Sequence, residues 1–264
     1  MMRYLSRVSF AVLILSFWLS SCQAPTQNFK KVLVKGGDFL ITTYQKVENR
    51  SEPYVFYIEG DGLTYTPEGN KIYTNPTPVR QTLLSLAAMD KRSNVIYVAR
   101  PCQYTPMELN PKCNSSYWTD KRLSDDSVVA INDVINKVNN NQKFSLIGYS
   151  GGGGIAVLVA ARNPMVKDII TIAGNLDHRA FTDYHKVTPM AGSLNPINYA
   201  KSIKHIPQWH ISGGKDHIVP PFIAEKYVAE SASLCVKQKT FPNIDHRSGW
   251  DKVWESIYTM PIKC

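Results

Sequence analysis

The feature that most constrains how this chain can fold is a single junction. Phe144-Ser145-Leu146-Ile147, a run suited to a strand, leads directly into Gly148-Tyr149-Ser150-Gly151-Gly152-Gly153-Gly154, and then into Ile155-Ala156-Val157-Leu158. Small residues on both sides of one serine let the backbone bend sharply, because without Cβ atoms it adopts dihedrals closed to other residues. The junction therefore predicts a strand, a tight turn centred on Ser150, and a helix over residues 152–162.

The rest of the chain repeats this alternation. Residues 29–34, 39–44, 54–58, 95–99, 169–173, 208–211 and 238–241 are apolar or β-branched runs that read as strands. Residues 79–89, 124–139, 221–232 and 250–258 read as helices. The first two strands flank Lys35-Gly36-Gly37-Asp38, whose paired glycines supply the positive φ of a hairpin turn, so the opening is antiparallel. The later strands are separated by segments long enough for crossover helices, which predicts an α/β domain with a mostly parallel sheet, right-handed connections and helices on both faces. Two connections, residues 101–123 and 174–206, exceed what a compact unit needs, and such excursions line or cover sites. Within the first, the Cys102 to Cys113 loop is expected to form one rim, and the second to form a small cap, with Tyr104, Met107, Tyr117, Trp118, Tyr184 and Met190 as candidates for an apolar acyl pocket.

Composition narrows the class further. The 264 residues, 44% hydrophobic with 15 Gly and 16 Pro and no internal repeat, exclude a collagenous, mucin-like or largely disordered chain. The formal net charge of +9 would permit an acidic partner, but no dense Lys and Arg cluster interleaved with aromatics accompanies it, which argues against nucleic acid.

At the N-terminus, Arg3 and Arg7 precede a run over residues 10–19 that is apolar except for Ser16. At about 1.5 Å per residue this run cannot cross a hydrocarbon core of roughly 30 Å, and it reads as a secretory signal. It ends in Leu19-Ser20-Ser21-Cys22, which resembles the lipobox of bacterial lipoproteins. That resemblance implies cleavage before Cys22 and a diacylglycerol on its sulfur; Gln23 in the next position implies the outer membrane, facing the periplasm. The expected layout is a signal peptide over residues 1–21, a short tether over 22–28 and one domain over 29–264, with membrane attachment through the lipidated N-terminus. Setting Cys22 aside leaves four cysteines, which can pair in three ways. The economical pairing is Cys102 with Cys113 and Cys235 with Cys264, each closing a short segment in an oxidising compartment. No Cys-x-x-Cys spacing or histidine pair suggests a metal, and no cofactor is expected.

With its flanking strand and helix, Gly148-Tyr149-Ser150-Gly151-Gly152 resembles the nucleophile elbow of the α/β-hydrolase family. The resemblance implies that Ser150 is a nucleophile presented on a strained turn. A serine hydroxyl is weakly nucleophilic and needs a base and a group to orient that base. In the family's chain order, the acid follows a later strand, where this chain has Ser212-Gly213-Gly214-Lys215-Asp216, and the histidine precedes the last helix, where it has Asn243-Ile244-Asp245-His246. Asp216 and His246 are the implied acid and base; Asp177, after the 169–173 strand, is the reserve acid. The resemblance also implies an oxyanion hole made by the amide of Gly151 and a second amide, of Asp61 or of Gly62, in the loop Glu59-Gly60-Asp61-Gly62. The commoner pattern has His-Gly where this chain has Glu59-Gly60. Glu59 and Asp61 would set negative charge beside a developing oxyanion unless Arg100 or Lys215 neutralises it.

The expectation is a lipid-anchored serine esterase of the α/β-hydrolase type, with a small-molecule or lipid ester as substrate. An alternative is a non-catalytic envelope lipoprotein that uses a hydrolase fold for binding or assembly. Gly151-x-Gly153-x-x-Ala156 also satisfies a dinucleotide-binding fingerprint, but the following strand ends in Ala173-Gly174-Asn175 without the acid that such a site needs. A P-loop is excluded because Ile155-Ala156 stands in place of Lys and Ser or Thr.

Overall fold

The computed structural model describes residues 28–66, 68–69 and 71–264; the expected signal segment, Cys22 and the tether up to residue 27 lie outside the described residues. The chain opens with β1 (Lys30–Gly36) and β2 (Phe39–Val47), paired antiparallel with Gly36 opposite Phe39. Gly37 takes φ +50° in the two-residue turn between them, where a side chain would be strained. There follow β3 (Tyr54–Ile58), α1 (Thr82–Met89), β4 (Asn94–Val98), α2 (Asp125–Val138), β5 (Phe144–Tyr149), α3 (Gly151–Ala160), β6 (Val166–Ile172) and α4 (His178–His185). The chain ends with β7 (Gln208–Gly213), α5 (Phe222–Ser231), β8 (Val236–Phe241) and α6 (Trp250–Tyr258).

These strands form one sheet of eight in the order β1-β2-β4-β3-β5-β6-β7-β8. β2 runs antiparallel to β4, and every pair from β4 through β8 is parallel. The period-two alternation of each central strand divides its side chains between two cores. Phe56 and Ile58 of β3 point to the side covered by α2, α3 and α5, while Val55 and Tyr57 point to the side covered by α1 and α6. All ten residues of α3 are buried, so Gly151 through Ala160 need no polar face. α2 is two-faced: Ser124 caps its first turn through Ser127 N–H, Asp125 and Asp126 lie at its positive end and Lys137 at its negative end. Among the described residues no helix is long and apolar enough to cross a membrane.

Two elements differ from the sequence expectation. The helix expected from residue 79 begins at Thr82, and residues 78–80 form an irregular, bent segment that borders a cavity. The 174–206 excursion contains α4, whose eight residues His-Arg-Ala-Phe-Thr-Asp-Tyr-His are mostly polar and too few for a helical period to stand out in the sequence. Both disulfides, Cys102–Cys113 and Cys235–Cys264, form as expected.

Candidate active site

The middle of the sheet delivers Ser150 at its C-terminal edge. β5 ends at Tyr149 and α3 starts at Gly151, leaving Ser150 alone at φ +52°, ψ −123°, a conformation that costs a non-glycine residue of order 1–3 kcal/mol. The turn closes only because its neighbours lack side chains. A Cβ on Gly148 would lie 2.3 Å from the Gly152 carbonyl oxygen, and one on Gly152 would lie 2.1 Å from that of Ile58 in β3. The Ser150 N–H donates to the Ile172 carbonyl (2.9 Å), and its own carbonyl accepts from Gly153 (3.0 Å) and Asn175 (2.9 Å), so the strained residue is bonded on both sides.

Two loops from the same edge meet this serine. His246, between β8 and α6, brings Nε2 to 3.2 Å from Ser150 Oγ and Nδ1 to 2.7 Å from Asp216 Oδ2. The other Asp216 oxygen, Oδ1, accepts the N–H groups of Ile218 and Val219, both at 2.8 Å. This fixes the carboxylate in the loop after β7. The His246 carbonyl accepts the Tyr149 hydroxyl (2.7 Å) and the Trp250 indole N–H (3.0 Å), which holds the imidazole over the turn. The Asp216 side chain is fully buried and that of His246 nearly so. Asp177 is not part of this arrangement. It caps α4 through Ala180 N–H, accepts from Asn195 and pairs with Lys226 at 2.8 Å.

The loop after β3 forms the facing wall. Asp61 and Gly62 line a cavity with Ser150 and His246. The Asp61 carboxylate presses on Gly151, where a Cβ would fall 1.9 Å from its Oδ1. Asp61 is held by two arginines, Arg100 Nη1 at 3.3 Å and Arg122 Nη1 at 3.0 Å, and Arg100 Nη2 also donates to the Arg122 carbonyl. The expectation that Arg100 or Lys215 offsets Asp61 therefore resolves in favour of Arg100. Lys215 is exposed in the loop after β7 and makes no ion pair among the described residues, while Arg122, which the sequence did not single out, supplies the second cation. Glu59 meets its burial differently. Its Oε2 accepts the Tyr97 hydroxyl (2.5 Å) and its Oε1 the Gly60 N–H (2.8 Å), and desolvation raises its pKa to about 7. The Gly60 carbonyl accepts from Gln103 Nε2 at 3.0 Å, so the Cys102–Cys113 loop supports this wall from behind.

The cavity above Ser150 has a volume of about 370 Å³. Its lining differs from the expected acyl pocket: none of Tyr104, Met107, Tyr117, Trp118, Tyr184 or Met190 belongs to it. Tyr117, Trp118 and Met190 are buried in packing, and the Trp118 indole donates to the Tyr73 carbonyl. Apolar contact comes instead from Leu63, Val79, Phe181, Ile218 and Val219. The 174–206 excursion does reach the site, through Asn175 and Phe181, but the 102–113 loop does not form its rim. The polar lining also includes Thr64, Thr82, Arg80, Arg122, Asn175 and Arg247; the last four lie in irregular segments, where periodicity carries no signal.

No family model and no curated protein matches this chain. Solved structures do. An esterase from Pyrococcus furiosus superposes with a TM-score of 0.62 at 14% identity, covering 87% of this chain and 88% of the other. The esterase domain of a Rhodothermus marinus protein gives 0.59 at 13% identity over 87% and 95%. A puromycin-hydrolysing peptidase from Mycobacterium tuberculosis gives 0.56 at 15% identity, covering 83% of this chain and 36% of that longer one. At these identities the likeness shows the fold, and together with the strand order it defines the class: this is an α/β-hydrolase fold, with a mostly parallel sheet and an antiparallel N-terminal hairpin.

Proposed function

We propose that this chain is a serine hydrolase that cleaves carboxylic esters through an acyl-enzyme, with Ser150 as nucleophile, His246 as general base and acid, and Asp216 as the orienting carboxylate. The observation that carries the reading is the chain of contacts from Ser150 Oγ through His246 to Asp216, at 3.2 Å and 2.7 Å, beside a cavity. As Ser150 Oγ attacks the ester carbonyl, its proton passes to His246 Nε2, and Asp216 holds the Nδ1–H tautomer and stabilises the imidazolium. The carbonyl electron pair moves onto oxygen, where the amide of Gly151 and that of Asp61 or Gly62 donate; such a donor contributes about 3 to 4 kcal/mol to the transition state. Collapse expels the alcohol, protonated by His246, and a water deprotonated by the same imidazole then releases the acid and regenerates Ser150. The Arg100 and Arg122 contacts to Asp61 support this role for the loop, because they offset a carboxylate that would otherwise oppose the oxyanion.

The test is fluorophosphonate labelling of the purified protein beside Ser150→Ala and His246→Ala, with folding checked by circular dichroism. Labelling that requires both residues is expected; a folded wild-type protein that resists the probe would transfer the reading to a binding role. Our reading includes export and a lipid anchor on Cys22, in the bacterial outer membrane facing the periplasm. Its support is the Leu19-Ser20-Ser21-Cys22 tetrapeptide and two disulfides that need an oxidising compartment. Incorporation of radiolabelled palmitate that disappears in Cys22→Ala is the expected result.

A further inference from the structure

The cavity above Ser150 is chemically divided. On the side of the sheet covered by α2, α3 and α5, its wall is apolar: Phe181 and Ile218 pack against that core and Val219 belongs to it. The opposite side, although Pro78 and Val79 also line it, carries two cations. Arg80 lies just before α1 and Arg247 just before α6, and these two helices pack together on the other face of the sheet. Both arginines line the cavity, and among the described residues neither side chain forms an ion pair.

The acids nearby are already engaged. Asp61 sits between Arg100 and Arg122, and Glu59 is buried against Tyr97. Asp245, outside the lining, accepts the N–H groups of Arg247 and Ser248 and the Ser248 hydroxyl. A second observation points the same way. α1 begins at Thr82, which also lines the cavity, and its first turn has neither an acidic residue nor a side-chain cap. Its N-terminal amides add positive potential beside Arg80.

Resting on the hydrolase reading above, we infer that the substrate is an ester bearing an anionic group, carboxylate or phosphate, received by Arg80, Arg247 and the start of α1. A compact apolar group of the same molecule lies against Phe181, Ile218 and Val219. Guanidinium groups pair with either anion through charge-assisted hydrogen bonds, which are stronger than neutral ones. A volume of about 370 Å³ accommodates a small molecule, and a long acyl chain would extend beyond it.

The experiment compares kcat/KM within matched ester pairs. Phenyl acetate against 4-acetoxybenzoate and against 4-acetoxyphenyl phosphate places the charge on the alcohol and separates carboxylate from phosphate. 4-Nitrophenyl valerate against 4-nitrophenyl hydrogen glutarate places it on the acyl group. At least one anionic member is expected to exceed its neutral partner about tenfold or more, with the advantage falling as salt rises. In Arg80→Gln/Arg247→Gln that ratio falls toward one, while Lys30→Gln, on the distant β1 edge, keeps the wild-type ratio. A neutral preference throughout, or an anionic preference that the double substitution leaves intact, overturns the inference. Fluorophosphonate labelling of the same preparation separates the two failures: labelled protein that prefers neutral esters defeats only the anionic substrate, whereas unlabelled folded protein defeats the hydrolase reading with it.

Discussion

Asp216 makes two sets of contacts that one substitution separates. Its Oδ1 anchors the loop after β7 through Ile218 and Val219, and its Oδ2 faces His246 Nδ1. Asp216→Asn keeps an oxygen for the loop amides but turns an N–H toward the imidazole, favouring the tautomer that cannot accept the Ser150 proton. We expect kcat on an activated ester to fall roughly 10⁴-fold, with the unfolding midpoint little changed. Glu59 gives a prediction of a different kind. Burial raises its pKa from 4.5 to about 7, so between those values the unfolded chain releases a proton that the folded protein keeps, and stability falls as pH rises through that window. Full ionisation costs about 3 kcal/mol by this shift. Glu59→Gln does not titrate, so urea unfolding at pH 4, 6 and 8 should show its stability relative to wild type improving by about that amount. A constant difference across the three pH values would rule out the buried, titrating carboxyl. Ser150, Asp216 and His246 could be singled out from sequence because each stands next to a recognisable strand or helix boundary. Arg122, Arg80 and Asn175 could not, since their roles depend on which loops meet.

At the level of elements, the turn from β5 to α3 rests on the absence of side chains. Gly152→Ala would set a Cβ 2.1 Å from the Ile58 carbonyl, and β3 and α3 are both buried with no room to separate. We expect a loss of about 2 kcal/mol or more in denaturant unfolding and a displaced Ser150, read as slower fluorophosphonate labelling in protein that is still folded. An alanine there that changed neither quantity would mean that the turn relaxes freely. The central strands were legible as short, continuously buried apolar or β-branched runs, and the amphipathic α2 and α6 by their helical period. α4 was not, because Phe181 and Ala180 are its main apolar contributions and its ends are set by Asp177 and a left-handed Lys186.

Across the whole molecule, the two disulfides tie down segments that the sheet does not hold. Cys102–Cys113 closes the loop behind Gly60, and Cys235–Cys264 fastens the C-terminus to the start of β8. Removing the first with Cys102→Ala/Cys113→Ala should cost about 3 kcal/mol in equilibrium unfolding. It should also slow ester turnover, because Gln103 then loses its fixed approach to the Gly60 carbonyl. Unchanged stability would show that packing alone orders the loop.

The sequence by itself determined the order of the strands and of the helices other than α4, the antiparallel start and the sharp turn at Ser150, and it favoured the cysteine pairing that forms. These are local properties: hydrophobic period, glycine placement and short loop closure act between residues near each other in the chain. Only the tertiary structure decided what surrounds the serine. The pocket is built from residues 59–64, 78–82, Arg122, Asn175, Phe181 and the loops after β7 and β8, brought together by parallel crossovers at one edge of the sheet. Which of those side chains face each other, and which charges are offset, depends on contacts between distant segments that no local pattern encodes.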